Sequence, residues 1–230
     1  MNNTIIYICT HKDFIPAVHN DEVYQVIDSR SITPHIRLKD DFWSELYHYK
    51  FISEQSDLPE YIGFCHYRRY FSFGDKVPSL TKDMAIAATP MTFSVTVEQQ
   101  YDQCHNIDDL HQVGDILKEL YPQYQATWNK FLRGHTFYPC NMFLMSRDKF
   151  KEYIKFIFDI MNEFLDQVGD VKKHIEQNKE KYLRPLYPNN DLNYQYRIGG
   201  YICERLTNVF LMKNFRHIET YNMIMTERNY

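Results

Sequence analysis

Apolar positions along the chain fall into short runs and into longer stretches with helical spacing. The short runs are rich in β-branched and aromatic residues and predict strands at 4–9, 22–28, 61–65, 84–90 and 137–145, with a last strand and tail at 215–224. The longer stretches predict helices at 41–54, from 96 onwards, and at 108–120, 123–132, 147–168 and 197–211. Strands interleaved with amphipathic helices are typical of an α/β fold.

The intervals between these elements offer no boundary that would divide the chain into two domains. Residues 72–79 predict a loop, the lysine-rich residues 169–182 a solvated helix or loop, and residues 185–190 a turn. The sequence has no internal repeat and no linker rich in Gly, Ser or Pro. We therefore expect the 230 residues to form one large α/β domain, or a domain with a helical appendage.

Composition narrows the class of protein without identifying it. Hydrophobic residues make up 44% of the chain and charged residues 24%, which is ordinary for a soluble globular domain. Aromatic content is high at 16%, and such residues can either fill a core or line a ligand groove. The formal net charge of −4 argues against a general nucleic-acid binder, which needs a basic face.

Cysteine usage and apolar run lengths bear on location. The 5 cysteines include no CxxC pair, which favours reduced thiols over disulfides or a zinc site. No basic segment followed by an apolar one opens the chain, and no apolar run approaches the 18 or so residues of a spanning helix. We expect a cytoplasmic protein, with peripheral contact at the cytoplasmic face of the inner membrane left open.

Residues 61–71 form the most informative stretch of the sequence. The stretch starts as a buried strand and then presents His66, Arg68 and Arg69 among aromatic residues. Anionic ligands of α/β proteins bind where strands end, and a fork-shaped guanidinium suits a diphosphate better than a point charge does. The alternative is a surface strand that carries two solvated arginines and a core histidine.

Polar residues follow or interrupt other predicted strands. Thr10, His11 and Lys12 come directly after the first strand, where they could contact a base or ribose, or simply end the strand. Asp28 ends the second strand and is more typical of a turn than of a ribose ligand. Asn141 interrupts an apolar run, so its amide needs a partner from the backbone or from a polar ligand.

A carboxylate lies within the apolar pattern of the last helix. Glu204 and Arg205 fall among Ile202, Leu206 and Val209. A carboxyl group beside apolar neighbours has a raised proton affinity unless it is paired, and a general base needs such a raised affinity. The alternative is an ion pair with a structural role. The sequence contains neither a glycine-rich phosphate loop nor a Walker motif.

Together these stretches resemble a family of bacterial capsular and exopolysaccharide biosynthesis proteins, first catalogued as a domain of unknown function. The resemblance covers nearly the whole chain and is carried by residues 10–12, 61–71, 96–101, His105, Asp109, 141–143, Arg197, Gly200 and 204–206. The most specific parts are the His-Tyr-Arg-Arg-Tyr-Phe run at 66–71 and the Glu-Arg-Leu run at 204–206. Members of this family are assigned as glycosyltransferases, and a galactofuranosyltransferase activity is associated with the group.

The resemblance implies a fold and a reaction. The fold is a single GT-A-like, Rossmann-like α/β domain with a mixed, mostly parallel sheet flanked by helices and a helical C-terminal portion. Residues 1–145 would form the core that binds a nucleotide sugar, and residues 146–230 the helical acceptor-side portion. The reaction is transfer, with inversion, from a UDP-sugar, with UDP-galactofuranose as a candidate, to a hydroxyl of a saccharide or lipid-linked saccharide. The pathway would be the synthesis of capsular polysaccharide, exopolysaccharide or lipopolysaccharide.

The resemblance also implies roles for individual residues. The predicted catalytic residues are Glu204 as base, with Arg68 and Arg69 stabilising the leaving UDP. The predicted donor-binding residues are Thr10, His11, Lys12, His66, Tyr67, Asn141, Arg197 and Arg205. The acceptor-side candidate is Asp191.

The chain departs from the usual GT-A pattern at one point. A GT-A strand normally ends in a DxD motif that binds a divalent cation, whereas residues 66–69 here supply two guanidinium groups. We therefore predict a metal-independent reaction, with His66 or Asp191 as the alternative ligand for Mn²⁺ or Mg²⁺. A non-catalytic module that binds a nucleotide sugar or glycan is the main alternative function. The absence of kinase and Walker motifs disfavours a phosphotransferase.

Overall fold

A computed structural model describes residues 3–183 and 191–226 of the chain. Its strands are β1 (Thr4–Thr10), β2 (Tyr24–Asp28), β3 (Tyr61–His66), β4 (Arg69–Phe71), β5 (Met84–Ala88), β6 (Met91–Thr92), β7 (Thr136–Phe137), β8 (Phe143–Ser146), β9 (His217–Tyr221) and β10 (Met223–Met225). Its helices are α1 (Asp40–Trp43), α2 (Leu46–Ser53), α3 (Val97–Cys104), α4 (Ile107–Leu120), α5 (Gln125–Arg133), α6 (Arg147–Val168), α7 (Val171–Gln177), α8 (Lys179–Tyr182), α9 (Leu192–Gln195) and α10 (Ile198–Asn214). Short 3-10 turns cover Ser29–Ser31 and Pro122–Tyr124. The turn predicted at 185–190 lies outside the described residues.

Strand β3 is the centre of the sheet. It pairs in parallel with β1, which in turn pairs in parallel with β2. On its other side β3 pairs antiparallel with β8, and β5 and β9 follow, the latter two parallel to each other. The three longest ladders are parallel, so the predicted mixed, mostly parallel sheet is confirmed. Strand β4 joins β3 at a single pair, His66 with Arg69, and carries β10 on its far side.

Successive side chains along each strand point to opposite faces of the sheet, and they form one apolar cluster on each face. On one face Phe64 stacks on Tyr49 of α2, with ring centroids 3.8 Å apart, and packs near Phe150 of α6. Helix α6 has the bounds that its apolar periodicity predicts. On the other face Ile6 and Ile8 lie in a cluster with residues from the connecting segments, including Val18 and Leu80. Helices therefore cover the first face most fully, and loops contribute to the second.

The single helix predicted at 41–54 is wrong. The structure breaks it into α1 and α2 at Ser44, which has a positive φ of 53°. Helix α10 passes so close that a Cβ added to Gly200 would lie 2.6 Å from the Ser44 Oγ. The break turns Ser44 and Glu45 towards the end of the sheet, where they line a cleft.

The single strand predicted at 137–145 is also wrong. It is divided into β7 and β8 by a turn in which Cys140 and Asn141 have positive φ values of 72° and 53°. A left-handed backbone cannot continue a strand, and asparagine is one of the few residues that tolerate it well. The turn points the Cys140 N–H at helix α10 instead of at a neighbouring strand.

The C-terminal portion combines helices with the strand region predicted at 215–224. Residues 169–182, predicted as a solvated helix or loop, form α7 and α8, which bury Val171, Ile175 and Tyr182. Strands β9 and β10 return to the sheet and pair with β5 and β4. Among the described residues, no helix is both long and apolar enough to span a membrane.

Candidate active site

The cleft lies where the parallel strands β1 and β3 end. The ends of parallel strands meet at one edge of a sheet, which is the usual ligand site of α/β proteins. A first compartment of about 390 Å³ is lined by residues that include Thr10, Ser29 and Asp41. A second compartment of about 350 Å³ is lined by residues that include Arg68 and Glu204. The two share His11, Ser44, Glu45, His66 and Arg197, so they adjoin.

Two arginines enter the second compartment from a tight hairpin turn. The register pairs His66 with Arg69, which leaves Tyr67 and Arg68 at the tip between β3 and β4. The Arg68 guanidinium lies 5.1 Å from the centroid of the Tyr67 ring. Its Nε is buried, and among the described residues it has no hydrogen-bond partner. Within those residues neither Arg68 nor Arg69 forms an ion pair, so both keep donors for an anion.

His66 is neutral at physiological pH. It is 7% exposed, and burial lowers the pKa of its imidazole to about 4. The nearby positive charges of Arg69 and Arg68 lower this pKa further, while Glu45 opposes the shift. The His66 Nε2 and the Glu45 Oε1 are 3.5 Å apart. A neutral imidazole leaves the positive charge in the compartment to the arginines.

Glu204 faces the same compartment from helix α10. Its Oε1 accepts a hydrogen bond of 2.6 Å from the Cys140 backbone N–H, and its Oε2 accepts one of 3.2 Å from Arg205 Nη1. Burial raises the pKa of the Glu204 carboxyl, while the charge of Arg205 and the Cys140 hydrogen bond oppose the rise. The negative charge of Glu45 raises this pKa further. Glu204 therefore binds a proton more tightly than an exposed glutamate does.

The guanidinium of Arg205 is held by contacts within the protein. Its guanidinium lies between the Tyr101 and Phe137 rings, 4.9 and 4.8 Å from their centroids. Nη1 donates to the Tyr201 carbonyl as well as to Glu204, and Nη2 donates to the Gln100 Oε1 at 2.6 Å. This geometry favours holding Glu204 in place over binding a donor phosphate.

Asn141 and Arg197 also line the cleft. The Asn141 Oδ1 accepts a hydrogen bond of 2.9 Å from the Thr207 hydroxyl, and its carbonyl accepts one of 2.7 Å from Tyr49. The predicted need for a partner is therefore met within the protein. Arg197 lines both compartments, and its Nη2 donates to the Ser44 Oγ at 3.1 Å.

Only some of the polar residues at the end of β1 line the cleft. Thr10 and His11 line the first compartment, and the Thr10 hydroxyl donates to the Lys12 carbonyl at 2.6 Å. Lys12 and Tyr67 line neither compartment, and the Lys12 Nζ lies 5.2 Å from the centroid of the Tyr67 ring. Asp28 caps the 3-10 turn by accepting from the Arg30 N–H, as expected of a turn-forming aspartate.

Asp191 is not part of the lining of either compartment. Its side chain accepts from the backbone N–H of Asn193 at 2.9 Å and so caps α9. The structure therefore gives it a local structural role, and its predicted acceptor-side role stays a prediction. The tyrosines of the second compartment that the sequence did not single out are Tyr194 and Tyr201.

Glu45 is one of the polar lining residues that sequence reasoning missed, together with Ser29, Asp41, Ser44, His48 and Gln100. It lines both compartments and is close to His66. The one available signal was a Ser-Glu pair inside the otherwise apolar run from Phe42 to Tyr47. A helical reading of that run would place these two polar residues on an exposed face.

Residues suited to a divalent cation are sparse in the cleft. Across 3–183 and 191–226, no group of three or more His, Cys, Asp and Glu side chains is arranged to hold a metal ion. Glu45 and His66 together would supply two ligands, and the remaining ligands would have to come from a bound diphosphate or from water. These side chains alone do not form a resident metal site.

The fold and the cleft define the chain as a GT-A-like α/β domain. It superposes on the apo structure of WbbM, a bifunctional glycosyltransferase, with a TM-score of 0.75 and 19% sequence identity. The match covers 99% of this chain and 46% of that one, so the chain spans about half the length of its structural neighbour. The family model "Domain of unknown function (DUF4422)" matches residues 5–215, and the chain belongs to that family. No curated protein matches it.

Proposed function

We propose that the chain is a glycosyltransferase domain that moves a sugar from a UDP-sugar to a hydroxyl of a saccharide, with inversion at the anomeric carbon. The observation that carries the proposal is the composition of the second compartment. It combines two arginines that have donors available with a carboxylate of raised pKa. The WbbM structure, described as a bifunctional glycosyltransferase, supports this reaction class through its shared fold.

Glu204 acts as the general base in this mechanism. It takes the proton from the acceptor hydroxyl as the hydroxyl oxygen attacks the anomeric carbon. The raised pKa of its carboxyl matches the task, because a base that holds its proton too weakly gives little driving force. Arg205 and the Cys140 N–H hold the carboxylate in place through its two oxygens.

Arg68 and Arg69 act on the leaving group. As the bond between the anomeric carbon and the diphosphate oxygen breaks, its electron pair stays on the UDP. Negative charge then grows on the diphosphate, and donors fixed nearby stabilise it without further rearrangement. We propose that the two guanidinium groups do the work of a divalent cation and that the reaction needs no metal. Thr10, His11 and His66 would contact the nucleotide from the first compartment, and Lys12 would support them through Tyr67.

The finer assignments extend this proposal. UDP-galactofuranose is the candidate donor, and a saccharide or lipid-linked saccharide of a capsular polysaccharide, exopolysaccharide or lipopolysaccharide is the candidate acceptor. We further propose a cytoplasmic protein that acts at the inner face of the membrane. These assignments depend on the family resemblance of the motifs at 66–71 and 204–206.

A non-catalytic module that binds a nucleotide sugar or glycan is the second candidate. One observation favours it: both oxygens of Glu204 already accept hydrogen bonds within the protein, as a structural carboxylate would. A glycosyltransferase turns over the UDP-sugar and releases UDP, whereas a binding module does not, so turnover distinguishes the two functions.

A panel of UDP-sugars with and without saccharide acceptors tests the proposal. We expect acceptor-dependent UDP release with one donor, in buffer with EDTA as well as with Mn²⁺. The same donor should raise the melting temperature, because it binds the folded state. Thermal stabilisation without UDP release under any condition would instead support the binding module.

A further inference from the structure

Three aromatic side chains lie against one another in the wall of the second compartment, and the two nearest rings, those of His105 and Tyr201, are stacked. The His105 ring stacks on Tyr201, with centroids 4.1 Å apart and planes inclined by 24°. Tyr194 lies against Tyr201, with centroids 5.2 Å apart and planes inclined by 31°. All three residues line this compartment.

Hydrogen bonds hold this stack, defined by His105, Tyr194 and Tyr201, in position. The His105 Nδ1 bonds to the Gln195 Oε1 at 2.9 Å, and the Gln195 amide donates to the Cys104 carbonyl at 3.0 Å. The Tyr201 hydroxyl donates to the Tyr194 carbonyl at 3.2 Å. The His105 and Tyr201 rings are therefore held in place before any ligand arrives, and a preorganised surface binds with a smaller ordering cost.

The stack lies one helical turn from the proposed base. Tyr201 and Glu204 are three residues apart on α10 and so share a face of the helix. Arg205 links them directly, since its Nη1 donates both to the Tyr201 carbonyl and to Glu204. Both residues line the second compartment, so a molecule that lies on the Tyr201 ring shares that compartment with the Glu204 carboxylate.

We propose that this stack is the acceptor subsite and that it binds a neutral pyranose ring by its apolar C–H face. This inference rests on the proposed transfer reaction. An aromatic face is electron-rich, so it attracts the slightly positive C–H bonds of a sugar while the hydroxyl groups remain at the ring edge. One of those hydroxyl groups is then directed at Glu204. Phe93 and Phe137 add apolar surface to the same compartment.

The test compares Tyr201→Ala, Tyr201→Phe and the control Tyr196→Ala. Tyr196 is a nearby tyrosine that lies against Lys172 and Glu176 and lines neither compartment. Acceptors are the methyl pyranosides of glucose, galactose and mannose, each as α and β anomers, with the UDP-sugar that the wild-type protein turns over. UDP affinity, measured by calorimetry on each sample, verifies that the variant is folded.

We expect Tyr201→Ala to raise the KM for the acceptor about 10-fold, since loss of an aromatic contact of this kind weakens binding by roughly that factor. The kcat and the UDP affinity should stay within about twofold. Tyr201→Phe keeps the ring and loses only the hydrogen bond to the Tyr194 carbonyl, so it should raise the acceptor KM less than Tyr201→Ala does. Tyr196→Ala should behave as the wild type. An acceptor KM unchanged in Tyr201→Ala, with the wild type active, would overturn the subsite and leave the transfer reaction standing.

Saturation-transfer NMR with the same methyl pyranosides separates the subsite from the reaction. We expect the strongest signals from C–H protons on one face of the sugar, and their loss in Tyr201→Ala. If this Tyr201-dependent binding occurs but no UDP is released, the transfer reaction is wrong and the stack is a glycan-binding site. If neither binding nor turnover occurs in the wild-type protein, both proposals fall.

Discussion

The hairpin at 66–69 and the helix α10 each bring arginine to the same cleft, and they use it differently. Arg68 and Arg69 form no ion pair within the described part of the chain. The Nε atoms of Arg68 and Arg205 are both buried without a partner there, so the two kinds of arginine differ in their terminal nitrogens. Arg205 is 3% exposed, lies between two aromatic rings and donates from both terminal nitrogens to the protein. A charge left without a protein partner is suited to an external anion, whereas a paired charge is suited to positioning.

This contrast assigns UDP binding to the hairpin and the chemical step to helix α10. If it is correct, substitutions in the hairpin change the affinity for UDP, and substitutions on α10 change the rate and its pH dependence. A leaving-group site and a base site on different elements are what displacement at an anomeric carbon requires. The predictions below run from the largest expected effect to the smallest.

Replacing the proposed base should have the largest effect. We expect Glu204→Gln to lower the transfer rate about 10³-fold, in line with loss of general-base catalysis, and to leave UDP affinity within about twofold. UDP release measures the first quantity and calorimetry the second. Glu98→Gln is the matched control, because Glu98 is a surface residue paired with His111 outside the cleft. Normal turnover in Glu204→Gln would assign the base role elsewhere, with Glu45 as the next carboxylate in the cleft.

The two kinds of arginine should differ in UDP affinity. We expect Arg68→Ala or Arg69→Ala to weaken UDP binding about 10- to 100-fold, as loss of a charge-assisted hydrogen bond does. Arg205→Met should leave UDP affinity within about threefold, and so should Arg37→Met, which removes an exposed arginine paired with Asp166. If Arg205→Met weakens UDP binding as much as the hairpin variants do, the division between the two regions is wrong.

The acidic limb of the pH–rate profile should report Glu204. Its pKa is raised by burial, and the base must be ionised, so kcat/KM should fall as pH decreases through that raised value. Arg205 lowers this pKa and Glu45 raises it. Arg205→Met should therefore move the acidic limb to higher pH, and Glu45→Gln should move it to lower pH. If the acidic limbs of the wild type, Arg205→Met and Glu45→Gln coincide, a group other than Glu204 determines the pH dependence of kcat/KM.

The smallest effect is expected for the loss of folding stability at low pH, and we expect His66 to cause it. Its pKa in the folded protein is lowered to about 4, below its ordinary value, so the unfolded chain takes up the proton first. The stability linked to neutral His66 is present above about pH 6.5 and is lost as pH falls towards 4. We expect His66→Asn, relative to the wild type, to lose about 1 kcal/mol less stability between pH 7 and 5.5. Urea unfolding at the two pH values measures the free energy of unfolding of both proteins. An equal loss of this free energy in the wild type and in His66→Asn would refute the prediction.

The sequence predicted elements with strong local signals. The apolar repeat of α6 predicted its bounds, and the helix predicted from residue 96 onwards is α3, where Thr96 and Gln99 form a reciprocal capping box. The hairpin stretch at 61–71 was also predicted to contribute to a site, since two adjacent arginines at the end of an apolar run are a local feature. Arg68, Arg69 and Glu204 indeed line the same compartment.

Features set by distant contacts were not predictable from the sequence. The run around Ser44 keeps helical spacing, and its break depends on the close approach of Gly200 from α10. Glu45 enters the cleft because of that break. The turn at Asn141 likewise depends on Thr207, 66 positions along the chain. The family resemblance implied an acceptor-side role for Asp191, and its capping of α9 is visible only in the geometry.

Calorimetric titration of UDP in the presence of EDTA tests the central claim most directly. The account predicts that the wild-type protein binds UDP more tightly than uridine without any divalent cation. It also predicts that the double substitution of Arg68 and Arg69 by Gln removes this preference while uridine affinity stays the same. A preference for UDP that disappears with EDTA in the wild type, or that survives in the double variant, would contradict the claim that the hairpin arginines receive the diphosphate.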